Sequence, residues 1–232
     1  ENPNRRRTGR PWNTRFGLQD AGLYQEGDFD SDGNLLAGLP VPTYGQVYPG
    51  DIKYADLNGD GRIDINDETA IGKPRFPEII YGINTMLSWK GFDLYALFQG
   101  AGNASLYFEG DLAYPFFNGA TMAHYQLDYW SPDNTDAAFP RLTPAPVTNN
   151  EQESSFWIRS GSYLRLKTLE LGYSIPSSVL SHIAVKQARV SLSGQNLLTF
   201  SSFKHIDPEM SQNRGRYYFQ QKVYTLGLSL NF

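Results

Sequence analysis

The segment Tyr224-Thr225-Leu226-Gly227-Leu228-Ser229-Leu230-Asn231-Phe232 alternates large apolar side chains with small or polar ones. Successive side chains of a β-strand point to opposite faces of the sheet. A period of two along this segment therefore predicts a strand with one apolar face. It is the clearest strand signal in the chain, and earlier segments repeat the pattern.

Four earlier segments show a similar alternation. Residues 79–89 and 92–102 predict a hairpin around a tight turn at Lys90-Gly91. Residues 161–175 predict another strand, in which the apolar phase shifts near Thr168, as a β-bulge would cause. The alternation of Ala188, Val190 and Leu192 with polar residues predicts the remaining strand. We therefore predict an all-β fold with about five antiparallel strands.

The connections between these strands alternate in length. The turn at 90–91 and the connection 176–186 are short, whereas 103–160 and 201–217 are long, a pattern typical of outer-membrane β-barrels. We predict that residues 1–78 form an extracellular loop region and that 79–232 hold the C-terminal strands of a large transmembrane β-barrel, including the long loop 103–160. Five strands cannot close a membrane barrel, which needs about eight, so the chain is predicted to be part of a larger barrel.

A soluble antiparallel β-sandwich is the alternative, because its strands also alternate between an apolar and a polar face. The predicted strands are longer than the usual five or six residues, which favours the barrel. In the barrel, four aromatic residues fall at one level, where an aromatic girdle is expected: Trp89, Phe92, Tyr173 and Phe232.

Composition excludes several classes of protein. The 232 residues carry a formal net charge of −4, which argues against a nucleic-acid protein held by phosphate neutralisation. The absence of cysteine excludes a disulfide framework and cysteine-ligated zinc. No apolar run approaches the roughly 18–20 residues that a membrane-spanning helix needs.

Residues 56–67 have the spacing of a calcium-binding loop. Position 12 holds aspartate rather than glutamate, with Glu68 as a substitute, and Pro74 and Pro77 leave little room for the exit helix of an EF-hand. We predict a structural Ca²⁺ ion here, and the alternative is a loop of Asx turns without an ion. The predicted ligands are the side chains of Asp56, Asn58, Asp60, Asp64 and Asp67 and the backbone carbonyl of Arg62, with Gly61 at the sharp turn.

A second, partial match to this spacing begins at Asp28 and runs to Gly33, but it fails downstream at Leu36 and Leu39. The chain has no Gly-x-Ser-x-Gly, phosphate loop or His-Glu-x-x-His motif, so we predict no enzyme activity. Five aromatic loop residues either stack on sugar rings or, as we favour, pack the long loop onto itself: Tyr114, Phe116, Phe117, Tyr129 and Trp130.

Several stretches, found in the expected order, resemble the C-terminal portion of SusC/RagA-type TonB-dependent outer-membrane transporters. The resemblance covers roughly residues 40–232. The stretches are Gly50–Gly61 (with Asp56-Leu57-Asn58-Gly59-Asp60-Gly61), Ile71-Gly72-Lys73-Pro74, Tyr81-Gly82, Tyr163–Lys167, Leu171-Gly172-Tyr173, Ser193–Thr199 and the terminal Leu-Ser-Leu-Asn-Phe.

The resemblance implies a barrel of 22 strands with an N-terminal plug in the outer membrane of a Gram-negative bacterium. Such a receptor imports glycans or peptides, is powered through the TonB complex and is capped by a SusD-like surface lipoprotein. The expected partners are therefore this lipoprotein, TonB through a part missing from this chain, the ligand and outer-membrane lipid, with no nucleic acid.

Two alternatives remain at this stage: a secreted, calcium-stabilised, glycan-binding β-sandwich and a piece of a glycoside hydrolase. The barrel interpretation makes a distinguishing prediction. The apolar side chains of Ile79, Ile83, Leu226 and Leu228 should be exposed to lipid in the barrel, whereas a second protein layer would cover them in a sandwich.

Overall fold

The computed structural model describes residues 2–181, 184–210, 214–218 and 220–232, which form strands, loops and very little helix. The strands in chain order are β1 (Arg15–Gly17), β2 (Asp20–Leu23), β3 (Val41–Pro42), β4 (Ile52–Tyr54), β5 (Arg62–Ile63), β6 (Thr69–Ile71), β7 (Ile79–Trp89), β8 (Phe92–Gly102), β9 (Ser105–Tyr107), β10 (Ile158–Ser160), β11 (Tyr163–Ser174), β12 (Gln187–Ser201) and β13 (Val223–Asn231). The α-helix α1 is Ser177–Leu180. The 3₁₀ turns are Pro3–Arg5, Glu26–Asp28, Ile65–Asp67, Gly110–Leu112, Phe117–Gly119, His124–Leu127 and Ser155–Trp157.

The chain folds into two compact units. The first, called the loop unit, comprises Glu1–Phe76, Ser105–Arg159 and Met210–Arg216. The second, called the sheet unit, comprises Pro77–Ala104, Ser160–Glu209 and Tyr217–Phe232. The long loop that follows β8 therefore folds with the N-terminal region of the chain.

The sheet unit contains one five-stranded antiparallel sheet in the order β7-β8-β11-β12-β13. This confirms the predicted all-β fold of about five antiparallel strands. The pairing register of β11 shifts between Leu166 and Thr168 against both of its neighbours. This shift confirms the predicted β-bulge near Thr168, where one extra residue in β11 changes which residues face each side of the sheet.

One face of this sheet is apolar and uncovered. A row of leucines crosses all five strands as successive cross-strand partners: Leu87, Leu94, Leu171, Leu192 and Leu226. Ile83 is 59% exposed and Leu226 is 77% exposed, and Ile79 and Leu228 are exposed as well. The distinguishing prediction of the barrel interpretation is therefore met, whereas the sandwich would have covered these side chains.

The next row along the sheet contains Trp89, Phe92 and Tyr173 as direct cross-strand neighbours. The rings of Phe92 and Tyr173 lie 4.5 Å apart between centroids. Three of the four residues predicted at one aromatic level are therefore adjacent, while Phe232 lies just after the last residue of β13.

The opposite face of the sheet is polar. The Arg189 guanidinium contacts the carboxylate of Asp93 on β8 and lies 2.7 Å from the Glu170 carboxylate on β11. Gly172 lies beneath this ion pair, where a Cβ atom would meet the guanidinium of Arg189 and the carboxylate of Asp93. The absence of a side chain at Gly172 therefore leaves room for the charged groups to cross β11.

Buried apolar side chains form the core of the loop unit, including Leu18, Ile52, Ile63, Phe108, Phe139 and Trp157. Residues 2–78, predicted as a loop region, contain the short strands β1 to β6. These strands have two to four residues each, too few to produce a recognisable period of two. A 3₁₀ turn at His124–Leu127 lies within the long loop that follows β8.

Buried tyrosines make the loop unit sensitive to alkali. Burial is the main cause that raises the pKa of Tyr24 and of Tyr107 to about 12, and it raises the pKa of Tyr54 well above 10. Because the neutral phenols are favoured in the folded state, their contribution to stability is complete below pH 10 and is lost as the pH rises toward 12. We expect tyrosine ionisation, followed by near-ultraviolet absorbance, to coincide with loss of the loop unit's structure. Ionisation near the ordinary pKa of 10, with the unit intact, would contradict this.

Among the residues that the structure describes, no helix is long and apolar enough to cross a membrane.

Candidate functional site

The predicted calcium loop folds around hydrogen bonds from its own backbone. The two carboxylate oxygens of Asp56 accept the N–H groups of Gly59 and Gly61 at 2.7 and 2.8 Å. Asn58 Oδ1 accepts the N–H of Asp60, and Asp60 Oδ1 accepts the N–H of Arg62, both at 2.9 Å. These are Asx turns, in which a short polar side chain holds the backbone a few residues further on.

The second half of the loop is held by Asp67, which is fully buried. Its carboxylate accepts the N–H groups of Leu57, Asn58 and Asp64 at 2.9 to 3.3 Å and so ties both ends of the loop together. Asp64 caps the 3₁₀ turn Ile65–Asp67 through its bond from the N–H of Asn66. Each predicted side-chain ligand therefore has a structural role already.

The calcium site stays a prediction. Its donors have suitable chemistry, since carboxylate oxygens retain acceptor capacity after one N–H bond and Ca²⁺ prefers oxygen ligands. In the described part of the chain, however, no group of three or more His, Cys, Asp or Glu side chains is arranged to hold a metal ion. Arg62, the predicted carbonyl ligand, lies in β5 and pairs with Val41 of β3 in parallel.

The second, partial match is organised in a similar way. Asp30 Oδ1 accepts the N–H groups of Asp32 and Asn34 at 2.9 and 2.8 Å, and the hydrogen bond from Asn34 is the main cause that lowers the pKa of Asp30. Asp28 forms an ion pair with Lys53 at 3.0 Å. The carboxylates of Asp28 and Asp30 therefore both have partners within the protein.

A buried polar network ties the long loop to the N-terminal region within the loop unit. Asp51 is fully buried and accepts two bonds from the Arg141 guanidinium, at 2.8 and 3.2 Å. It also accepts the Asn150 side-chain amide at 2.9 Å and the backbone N–H of Tyr48 at 2.9 Å. Asn150 Oδ1 in turn accepts the N–H of Ile52 at 2.8 Å. This network fixes the start of β4 against residues 141–150.

The aromatic residues of the long loop mostly pack within the loop unit. Trp130 is 7% exposed and its ring lies against Gly50, where a Cβ atom would clash with it. Tyr114 packs edge-on against Trp157 at 5.2 Å between centroids. Phe116 remains exposed beside a cavity of about 340 Å³. The favoured prediction, that these residues pack the loop onto itself, describes Tyr114 and Trp130 better than Phe116.

A second charged cluster lies at the start of β11 in the sheet unit. The Arg165 side chain is 2% exposed and contacts Asp207 Oδ1 at 2.7 Å and Glu209 Oε2 at 3.0 Å. Arg165 Nε also donates to Thr199 Oγ1 at 3.0 Å, and the Tyr163 hydroxyl contacts Glu209 Oε1 at 2.5 Å. The cluster fastens the loop after β12 to the polar side of the sheet.

Comparisons with known proteins agree on one class. No protein-family model matches the chain. TonB-dependent receptor P3 of Formosa agariphila is 32% identical over 94% of this chain, which corresponds to 22% of that receptor. TonB-dependent receptor SusC of Bacteroides thetaiotaomicron is 26% identical over 82% of this chain and 19% of SusC. Among solved structures, the RagAB peptide importer in its "open-open" state matches with a TM-score of 0.67 and 25% identity, over 94% of this chain and 22% of that chain.

The fold, with its uncovered apolar face, is that of part of a large transmembrane β-barrel. The comparisons confirm the resemblance of this chain to the SusC/RagA-type TonB-dependent outer-membrane transporters. The chain spans about a fifth of the length of the curated relatives that it matches.

Proposed function

We propose that this chain supplies the C-terminal strands and outer loops of a TonB-dependent receptor that imports glycans or peptides across the outer membrane of a Gram-negative bacterium. A SusD-like lipoprotein would cap the receptor, and the TonB complex would power it through parts outside this chain. The match to TonB-dependent receptors over most of the chain supports the proposal, as does the named activity of the RagAB peptide importer. None of these relatives is named as an enzyme, and we propose that this chain has no enzymatic role.

The observation that carries the proposal is the uncovered apolar face of the five-stranded sheet. Hydrocarbon tails would cover this face, while the polar face with Arg189, Asp93 and Glu170 would line the barrel interior. The outer strands β7 and β13 would each pair with a further strand, because a barrel in lipid must satisfy every backbone polar group. The loop unit would then form part of the extracellular surface.

The test is uptake by cells that carry the complete receptor containing this chain. Accumulation of labelled oligosaccharides and of labelled peptides would be compared in cells with and without TonB. We expect TonB-dependent accumulation of at least one of the two ligand classes and recovery of the receptor in the outer-membrane fraction. Recovery in a soluble fraction, or accumulation that is equal without TonB, would refute the proposal.

Replacing Leu226 with arginine should impair assembly of the barrel. Leu226 lies near the middle of β13 on the apolar face, and an arginine facing lipid near the bilayer midplane costs about 2–4 kcal/mol. The fraction of folded receptor, measured by heat-modifiable mobility in gels, should fall. Thr225→Arg is the matched control, because the neighbouring residue points to the polar face. Equal assembly of the two variants would count against lipid contact at Leu226.

We also propose that the loop of residues 56–67 binds a structural Ca²⁺ ion. The oxygen-rich spacing supports this, and the ion would neutralise the clustered carboxylates of Asp56, Asp60 and Asp64. Limited proteolysis of the purified receptor should cleave within residues 50–70 faster with a chelator than with calcium. Asp60→Ala should abolish the difference, whereas Asp30→Ala in the second acidic loop should preserve it. Identical cleavage with chelator and with calcium would exclude the bound ion.

A further inference from the structure

The loop unit contains a cavity of about 600 Å³ with a strongly positive lining. Among the described residues that line it, four side chains are cationic, namely Arg7, Arg15, Lys73 and Arg75, and one is a carboxylate, Glu153. These five side chains carry a formal charge of +3, although the whole chain carries a net charge of −4. The cavity volume falls in the range of about 300–1,000 Å³ that is usual for ligand pockets.

Part of this lining is held in place by its surroundings. The Arg15 guanidinium lies 4.0 Å from the centroid of the Tyr107 ring and contacts Glu153 Oε1 at 2.5 Å. Tyr107 is itself buried, so it provides a fixed floor for the arginine. The Arg7 guanidinium lies 5.0 Å from the centroid of the Phe16 ring. Contacts of this kind orient arginines before a ligand arrives and reduce the entropy lost on binding.

The remaining lining offers broad apolar surfaces beside the charges. Trp12 is 85% exposed and Phe76 is 65% exposed, and both line the cavity. A large exposed aromatic ring presents a flat surface with a partial negative charge, which suits the slightly positive C–H face of a sugar ring. Extended peptides are more often held by main-chain bonds to a strand edge. Charged side chains next to flat aromatic rings therefore favour a carbohydrate.

We propose that this cavity binds an anionic carbohydrate, with a carboxylate or sulfate group against Lys73 and a sugar ring against Trp12. The proposal rests on the proposed function as an importer and names its substrate class. Guanidinium groups suit both anions, because their planar donors match carboxylate and sulfate oxygens in pairs. Binding should weaken as salt is raised, since the charges of the cavity are exposed to solvent.

The test measures binding to the purified complete receptor by calorimetry, without TonB and without uptake. The probes are an oligogalacturonate, a chondroitin sulfate oligosaccharide, a neutral maltooligosaccharide and an oligoglutamate peptide. We expect the oligogalacturonate, the chondroitin sulfate or both to bind in a salt-dependent manner, and this result identifies the preferred anion. Equal binding of the neutral sugar, or tighter binding of the peptide, would overturn the proposal.

A variant within the cavity and a control variant outside it test whether the sugar binds at this site. Lys73→Gln should weaken binding of the anionic sugar about tenfold, which is the loss expected for one charge-assisted contact. Arg214→Gln removes an exposed cation of the same unit that does not line the cavity, and it should leave the affinity unchanged. An unchanged affinity in Lys73→Gln would refute the site. TonB-dependent uptake of neutral ligands alone would also refute it, while leaving the proposed function intact.

Discussion

Replacing Asp51 with alanine should destabilise the loop unit by about 3–5 kcal/mol, because it leaves the partners of a buried carboxylate without an acceptor. The Arg141 guanidinium would lose two bonds, and the Asn150 amide and the Tyr48 N–H would lose one each. The effect should appear as faster hydrogen exchange in β4, whose Ile52 amide donates to Asn150. An increase of about a hundredfold or more corresponds to this free energy.

Arg5→Gln is the control for this experiment. It also breaks an ion pair, between Arg5 and Glu68 at 2.9 Å, but the Arg5 side chain is well exposed. Exposed pairs contribute about 0–1 kcal/mol, so exchange in β4 should hardly change. If Asp51→Ala and Arg5→Gln gave the same exchange rates, the buried network would not be what holds β4 to residues 141–150.

Replacing Arg165 with methionine should release the loop that follows β12. Asp207 and Glu209 would keep their charges in a largely buried position without their arginine, at a cost of about 3 kcal/mol. Methionine retains much of the apolar stem of the arginine, so the change mainly removes the charge and the donors. Protease cleavage and hydrogen exchange within residues 202–209 should therefore increase strongly, while β8 stays protected.

Lys167→Gln tests whether burial is the decisive factor in this cluster. Lys167 also contacts Glu209, at 3.2 Å, but its side chain is much more exposed than that of Arg165. We expect a change below about 1 kcal/mol. Restoring neutrality in the triple variant Arg165→Met, Asp207→Asn, Glu209→Gln should recover part of the protection. No recovery would mean that lost packing, rather than unpaired charge, opens the loop.

The long strands could be predicted because their signal is local. From Tyr224 onward in β13, each apolar residue is followed by a small or polar one, so the apolar face can be identified without knowing any partner strand. The bulge near Thr168 was visible for the same reason, since one extra residue shifts the alternation. The comparisons then confirmed the family resemblance that the ordered motifs had indicated.

The charged clusters could not be predicted because their partners are far apart in the chain. Asp51 and Arg141 are separated by 90 residues, and Arg165 and Asp207 by 42. No periodicity links such pairs, although an arginine between two leucines in β11 indicates that a carboxylate partner lies elsewhere in the chain. The acidic loop shows the opposite problem. Its spacing is equally suited to calcium and to the Asx turns that the structure shows.

The outer positions of β7 and β13 in the sheet have a consequence for handling this polypeptide in isolation. Each is an edge strand whose outward-facing backbone N–H and C=O groups have no partner strand among the described residues, next to exposed apolar side chains. Such an edge can pair with a strand of another chain. Produced by itself and without detergent, the chain should pair with further copies of itself through these edge strands and precipitate. It would stay dispersed only where further strands pair with its two edges and lipid or detergent covers its apolar face.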